Sequence, residues 1–166
     1  MTTIAYRNGT LACDSAWTAG GTLVTMSTKI MRLKSGALFG HSGDNDCRKL
    51  REMVENARTF KQLPSHSDLT ALKQQFAALI IFPARREVFM LAASHVAHEN
   101  WDENFEEDIG VWKIDRGYAA IGTGGDAALG ALAMGATAAV AVRVGCMFDP
   151  NSRLPVHTLS LPKRAG

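Results

Sequence analysis

Residues 2–13 read TTIAYRNGTLAC, and the fold turns on whether they are a frayed end or the first hairpin of a sheet. Chain ends are ordinarily where order is weakest. Here Ile4, Tyr6, Leu11 and Cys13 alternate with other side chains around Arg7-Asn8-Gly9-Thr10. An Asn-Gly pair between alternating apolar residues supplies the positive φ angles of a two-residue hairpin turn. The stretch therefore predicts two antiparallel strands at the start of a buried sheet, with a threonine pair at its first position.

Beyond the hairpin, TAGGTLVTMSTKIMRL carries a glycine pair at 20–21 and then an apolar, β-branched strand, and GALFGHSG from Gly36 reads as a further strand. The period then changes. In DNDCRKLREMVENARTF, Leu50, Met53, Val54 and Ala57 fall on one helical face, with Asp44 or Asp46 placed to suit the positive end of the helix dipole. KQLPSHSD is read as a loop and LTALKQQ as a short helix. FAALIIFPARREVFMLAA gives two strands around a turn at Pro83–Arg86. HENWDENFEEDIG is acidic and loop-like, and VWKIDRGYAAIGTGG returns to strand. From Asp126 to Phe148 two Ala-rich helices are expected with a break at Gly135, showing Val140, Val144 and Met147 at helical spacing. PVHTLSL is the final strand. Helices clustered between antiparallel hairpins fit an α+β sandwich better than a βαβ alternation.

Composition narrows the function classes. At 166 residues, 46% hydrophobic and 20% charged, the chain is expected to be one domain over 1–166 with a single core. Its charge of +2 comes from 18 basic and 16 acidic residues without a basic run, so nucleic acid is not an expected partner. Cys13, Cys47 and Cys146 are odd in number and far apart, which points to a reducing compartment and to neither disulfides nor a metal site. Neither a signal segment nor a membrane-length apolar run is visible, so a cytoplasmic location is expected.

Several residues could carry chemistry. A threonine freed by removal of Met1 has an α-amine, with a reference pKa of roughly 8, that can take the proton of its own hydroxyl. Met-Thr-Thr is also a common start, so Thr2 alone is a weak signal. Asp14 lies among small residues in ACDS, and Lys29 lies in an otherwise apolar strand near Met26, Ile30 and Met31. A lysine can lower the pKa of a neighbouring hydroxyl and a carboxylate can orient that lysine. The plainer roles are a turn cap for Asp14 and a snorkelling edge lysine for Lys29. In SGDND, Gly43 would leave an N–H beside a helix start for a developing oxyanion. GTGGD at 122–126 could be read as a phosphate cradle, but it lacks the longer fingerprint or a lysine. Asp149 and Ser152 in DPNS are explained by a turn with Pro150 at its second position.

Taken in order, TTIAYRNG, the Asp after a small residue, TKIMRL, FGHSGDND and YAAIGTGGDAALGA resemble the proteasome β-type and bacterial HslV-like family of N-terminal-nucleophile hydrolases. The resemblance runs from Thr2 to about the final strand and is weakest from about 60 to 108. It implies a four-layer αββα sandwich and a threonine endopeptidase. Thr2 would be the nucleophile, Asp14 and Lys29 the charged pair under its hydroxyl, and Gly43 the oxyanion donor. Thr123 stands where the family usually has a serine, and Asp149 and Ser152 match the Asp-x-x-Ser pair that orients the nucleophile. Thr18 and His41 would bind substrate, His41 in the pocket for the residue preceding the cut. No cofactor or metal is implied. The partners implied are further copies of the chain in stacked rings, polypeptide substrates, and an ATP-dependent unfoldase as a candidate. An inactive ring subunit and an amidase acting on a small molecule are the alternatives; the joint retention of Thr2, Asp14, Lys29 and Gly43 argues against the first.

Overall fold

Asn8 and Gly9 take φ angles of +49° and +84°, the left-handed pair that a tight hairpin turn requires. They join β1 (Ile4–Arg7) to β2 (Thr10–Cys13), and the Gly9 N–H donates to the Tyr6 hydroxyl at 3.1 Å. This is a computed structural model, and it describes residues 2–19, 22–43, 47–93 and 109–162. Along the chain follow β3 (Ala16–Ala19), β4 (Thr22–Met26), β5 (Ile30–Arg32), β6 (Leu38–Gly43), α1 (Arg48–Val54) and α2 (His66–Ala71). Then come β7 (Phe76–Ile81), β8 (Val88–Ala93), β9 (Ile109–Ile114), β10 (Tyr118–Ile121), α3 (Gly125–Ala133), α4 (Ala138–Phe148) and β11 (His157–Ser160).

The described strands pair antiparallel, in one sheet of order β10-β1-β2-β11, a second of order β5-β6-β7-β8-β9, and a β3-β4 ribbon. The architecture is thus mixed α and β with antiparallel sheets, as the element order predicts. Strand alternation sorts the side chains by face. Ile4, Tyr6, Leu11 and Cys13 of the first sheet meet Leu38, Leu79, Ile81 and Val88 of the second in one apolar cluster. The opposite face of the first sheet, with Ala5 and Ala12, packs against Ala128, Leu132, Ala138, Ala141 and Val142 of α3 and α4. The opposite face of the second sheet, with Phe39, Phe76, Ile80 and Phe89, packs against Leu50, Val54 and Leu69 of α1 and α2. Each fully buried Leu or Ile here contributes about 1.5–3 kcal/mol relative to exposure.

Several expectations need correction. The chain from 18 to 33 takes in the end of β3 and then β4 and β5, because β3 and β4 form their own ribbon before the chain crosses to β5; Lys29 lies in that crossing and not within a strand. Helix α2 starts at His66, inside the expected loop. Ser65 accepts from the Asp68 N–H while Asp68 accepts from the Ser65 N–H, a capping box that starts the helix early. Met53 is 41% exposed, so Leu50 and Val54 alone carry the buried face of α1. Residues 111–125 are parts of two strands with a turn between them and a helix start. The break at Gly135 stands, but α4 turns its small residues inward and leaves Val140 and Met147 exposed. Gly20, Gly21, Asp44, Asp46 and the acidic stretch 98–108 lie outside the described residues.

Candidate active site

The site begins with what the hairpin does to its own ends. Pairing of Ile4 with Cys13 brings Thr2 and Thr3 alongside Asp14, whose backbone N–H donates to the Thr3 carbonyl at 3.0 Å. Thr2, Thr3 and Asp14 are all buried. The Thr2 hydroxyl donates to Asp14 Oδ1 at 2.8 Å, the Thr3 N–H donates to the same oxygen at 2.9 Å, and Lys29 Nζ reaches it at 2.7 Å. Oδ2 accepts the N–H groups of Ala16 at 2.9 Å and Arg153 at 3.2 Å. With its acceptor positions filled, Asp14 is an anchor and not a free base. Lys29 is 6% exposed, so it is not a snorkelling edge lysine, while the Ala16 N–H on Oδ2 is the turn-cap contact expected of Asp14.

A second polar cluster lies at the end of α4. Asp149 caps the helix, and its Oδ2 accepts the hydroxyls of Thr123 at 2.5 Å and Ser152 at 2.7 Å. Burial pushes the Asp149 carboxyl up, but these hydroxyls and the N–H groups of Asn151 outweigh it and hold the group below its ordinary range. The Ser152 and Thr3 hydroxyls lie 2.7 Å apart, and the Thr123 hydroxyl reaches the Thr2 carbonyl at 3.5 Å. The cluster therefore grips the backbone and second threonine of the Thr2–Thr3 pair.

The glycines explain how the threonines can sit so deep. Gly122 has a φ of +90°, and a Cβ there would fall closer than 3.0 Å to the Thr2 carbonyl. Cβ atoms at Gly124 and Gly145 would collide in the same way with the Thr3 side chain. The GTGGD stretch is thus a close-packing surface for the chain start, which removes the reason to read it as a phosphate cradle. Sequence reasoning missed Thr3, the backbone donors of Ala16 and Arg153, and Gly145. The glycines of GTGGD leave a trace in the sequence, as the cluster that turns the chain from β10 into α3.

The remaining candidates lie on β3 and β6. Gly43 ends β6, exposed, with a φ of +133°. Among the described residues no hydrogen bond joins it to Thr2, and α1 begins only at Arg48. Thr18 is in β3 at a register shift between Trp17 and Thr18, and its side chain lies outside the described residues. The His41 N–H donates to the Lys29 carbonyl at 3.3 Å. Its ring stacks on Phe39, and its buried Nδ1 has no hydrogen-bond partner among the described residues. Burial first, then the charges of Lys29 and Arg51, hold the His41 pKa below its ordinary value.

No family model matches the chain, and no curated sequence matches it. Solved structures do. The chain is similar to Thiobacillus denitrificans BPH in complex with epoxomicin, at 22% identity and a TM-score of 0.58, over 97% of this chain and 98% of that one. It is equally similar to Thiobacillus denitrificans BPH alone, at 22% identity and a TM-score of 0.58, over 98% of each chain. At this identity the likeness is one of fold, and it extends over nearly the whole of both chains. No described helix is long and apolar enough to cross a membrane.

Proposed function

We infer that the chain is a threonine-type endopeptidase of the N-terminal-nucleophile class, with Thr2 as nucleophile once Met1 is removed. The observation that carries this reading is the meeting of the Thr2 hydroxyl and the Lys29 ammonium on one buried oxygen of Asp14, at 2.8 and 2.7 Å. A buried ion pair held against a hydroxyl at the first turn of the fold has no structural need to be there, since apolar residues of similar volume stabilise as well or better. Two further observations support it. The order helix pair, sheet, sheet, helices agrees with the four-layer αββα sandwich the resemblance implies. The fold neighbour was solved with epoxomicin, a proteasome inhibitor.

In this reading the α-amine of Thr2 takes the hydroxyl proton through a water as Oγ1 bonds to the peptide carbonyl carbon. Lys29 stabilises the negative charge growing on Oγ1, and Asp14 keeps that ammonium in place. The carbonyl oxygen becomes an oxyanion facing the Gly43 N–H. The amine returns its proton to the leaving nitrogen as the C–N bond breaks, and water then hydrolyses the Thr2 ester. Thr123, Asp149 and Ser152 fix the backbone from which the nucleophile projects. Substrates are polypeptides, and enclosure in a homo-oligomeric ring supplies selectivity. The exposed Met134, Val140, Met147 and Phe148 on the α3–α4 side offer apolar surface for such contacts. A cytoplasmic location and an ATP-dependent unfoldase belong to the same proposal.

The test is the N-terminal tryptic peptide of the active protein treated with a covalent threonine-directed inhibitor. It should be TTIAYR, residues 2–7, carrying the adduct, and the adduct should vanish in Thr2→Ala. Full peptidase activity from chains that all retain Met1 would sink the mechanism.

A further inference from the structure

Two polar clusters flank the start of the chain, and they meet in one residue. On one side Lys29, the Thr2 hydroxyl and backbone donors converge on Asp14; on the other Asp149 gathers Thr123 and Ser152. Thr3 belongs to both. Its N–H donates to Asp14 Oδ1 at 2.9 Å, its carbonyl accepts the Asp14 N–H at 3.0 Å, and its hydroxyl lies 2.7 Å from Ser152 Oγ. Thr3 has no exposed surface, and its side chain points onto Gly124 and Gly145, where a Cβ would collide with it. It therefore cannot touch a substrate.

Counting protons fixes the direction of these hydrogen bonds, since a hydroxyl has one proton to donate. Ser152 gives its proton to Asp149 Oδ2 at 2.7 Å, and Thr123 gives its own to the same oxygen at 2.5 Å. Asp149 is held below the ordinary carboxylate range, so near neutral pH it is ionised and donates nothing. Ser152 Oγ must then accept from Thr3, and Thr123 has no proton left for the Thr2 carbonyl 3.5 Å away. The Gly124 N–H meets that carbonyl at a long 3.4 Å. The short contact from the Asp149 cluster to the two threonines is the one on the Thr3 hydroxyl.

Resting on the peptidase reading above, we propose that Thr3 is a positioning residue for the reaction: its hydroxyl, donated to Ser152, locks the peptide plane between Thr2 and Thr3 and so aims Thr2 Oγ1. The Thr3 N–H lies in that plane, and it shares Asp14 Oδ1 with the Thr2 hydroxyl and Lys29. A turn of Thr3 pulls its N–H off that oxygen and carries the Thr2 side chain with it. Asp149 and Ser152 thus act on the nucleophile through Thr3. A misplacement of about 1 Å is enough to cost roughly 10² in rate.

The experiment separates the two halves of the Thr3 side chain in the full chain, with cleavage of a fluorogenic peptide and thermal unfolding as readouts. Thr3→Val keeps the shape and removes the hydroxyl; Thr3→Ser keeps the hydroxyl and removes the methyl that packs on Gly145. Thr3→Val should lower kcat by roughly 10- to 100-fold at unchanged KM. Its melting temperature should stay close to the original, because Ser152 loses an accepted bond and still donates to Asp149. Thr3→Ser should keep kcat near the original although the lost methyl lowers the melting temperature. A merely structural Thr3 would make activity follow stability across the pair. In a Ser152→Ala background, Thr3→Val should cost less than about twofold more, because the link is already cut. Unchanged kcat in Thr3→Val overturns the proposal, as does a Thr3→Ser as slow as Thr3→Val, or full multiplication of the losses in the double variant. Should Thr3→Val not fold, Ser152→Ala reads the same link, and near-original kcat there is the overturning result. No cleavage by the unaltered chain overturns the peptidase reading and this proposal together; an active chain indifferent to Thr3→Val overturns this proposal alone.

Discussion

Asp14, between β2 and β3, and His41, on β6, both touch Lys29, and they are treated in opposite ways. Asp14 is fully buried with donors on both oxygens. His41 is buried at Nδ1 with no hydrogen-bond partner among the described residues. A complete polar network rigidifies its members, while an incomplete one costs stability wherever water or a ligand does not fill it. The first arrangement suits a group that must hold other groups still. The second suits a group that waits for something to arrive.

The largest expected effect breaks the filled side of this comparison. Lys29→Met keeps the stem's packing and removes only the charge. Loss of a positioned catalytic group typically costs roughly 10²–10⁴ in rate. Because the pair is buried, stability should also fall, unlike that of a surface salt bridge. Removing one partner of a buried pair costs about 3–5 kcal/mol, and the lower end applies here because three backbone N–H groups still hold Asp14. Peptide turnover and denaturant titration check the two halves separately. Turnover near the original rate, or an unchanged midpoint, means that Lys29 does not hold the position described here.

The next effect acts one step further out. Gly145→Ala places a methyl against the Thr3 side chain, which cannot retreat because its hydroxyl is tied to Ser152 at 2.7 Å. Overpacking of this kind costs about 1–3 kcal/mol. Activity should fall along with thermal stability, since Thr3 shares the backbone that aims Thr2. A variant of unchanged melting temperature and activity would show that the packing around Thr3 is looser than the glycine contacts indicate.

That packing also marks how far the sequence could be read. The first hairpin was legible because Asn8-Gly9 is local chemistry, with turn residues and alternating partners lying within ten positions. The two-helix stretch was legible for the same reason at Gly135. The inward face of α4 was not. Val140 and Met147 looked like the buried stripe, yet Ala138, Ala141 and Gly145 are buried, because close approach to Thr3 and the first sheet selects for small size. Lys29 could be named as a candidate, but its burial depends on how the chain crosses from the β3-β4 ribbon to the second sheet, which no local pattern records. The Asp14 donors from Ala16 and Arg153 are backbone groups, so no residue type announces them.

The smallest effect sharpens the unfilled side. If His41 Nδ1 is an unmatched buried group, an apolar side chain there removes a cost instead of adding one. His41→Leu should therefore stabilise the protein, by about 1 kcal/mol, whereas substitutions among the donors of Asp14 destabilise it. For a chain of this length that is a rise of roughly 2–4 °C in melting temperature. The pH dependence gives an independent reading. Burial, Lys29 and Arg51 depress the His41 pKa in the folded state, so the unfolded chain binds the proton first, near its ordinary value of roughly 6.5. Stability tied to the neutral ring is then complete above that value and is lost as pH falls through the folded pKa. Asp149, also depressed, loses its share only as pH falls below the ordinary carboxylate range. The gap in melting temperature between His41→Leu and the unaltered protein should widen as pH falls from 7 towards 5. A gap that narrows, or a variant less stable at pH 7, would mean that His41 is satisfied in the native protein, and the contrast with Asp14 would dissolve.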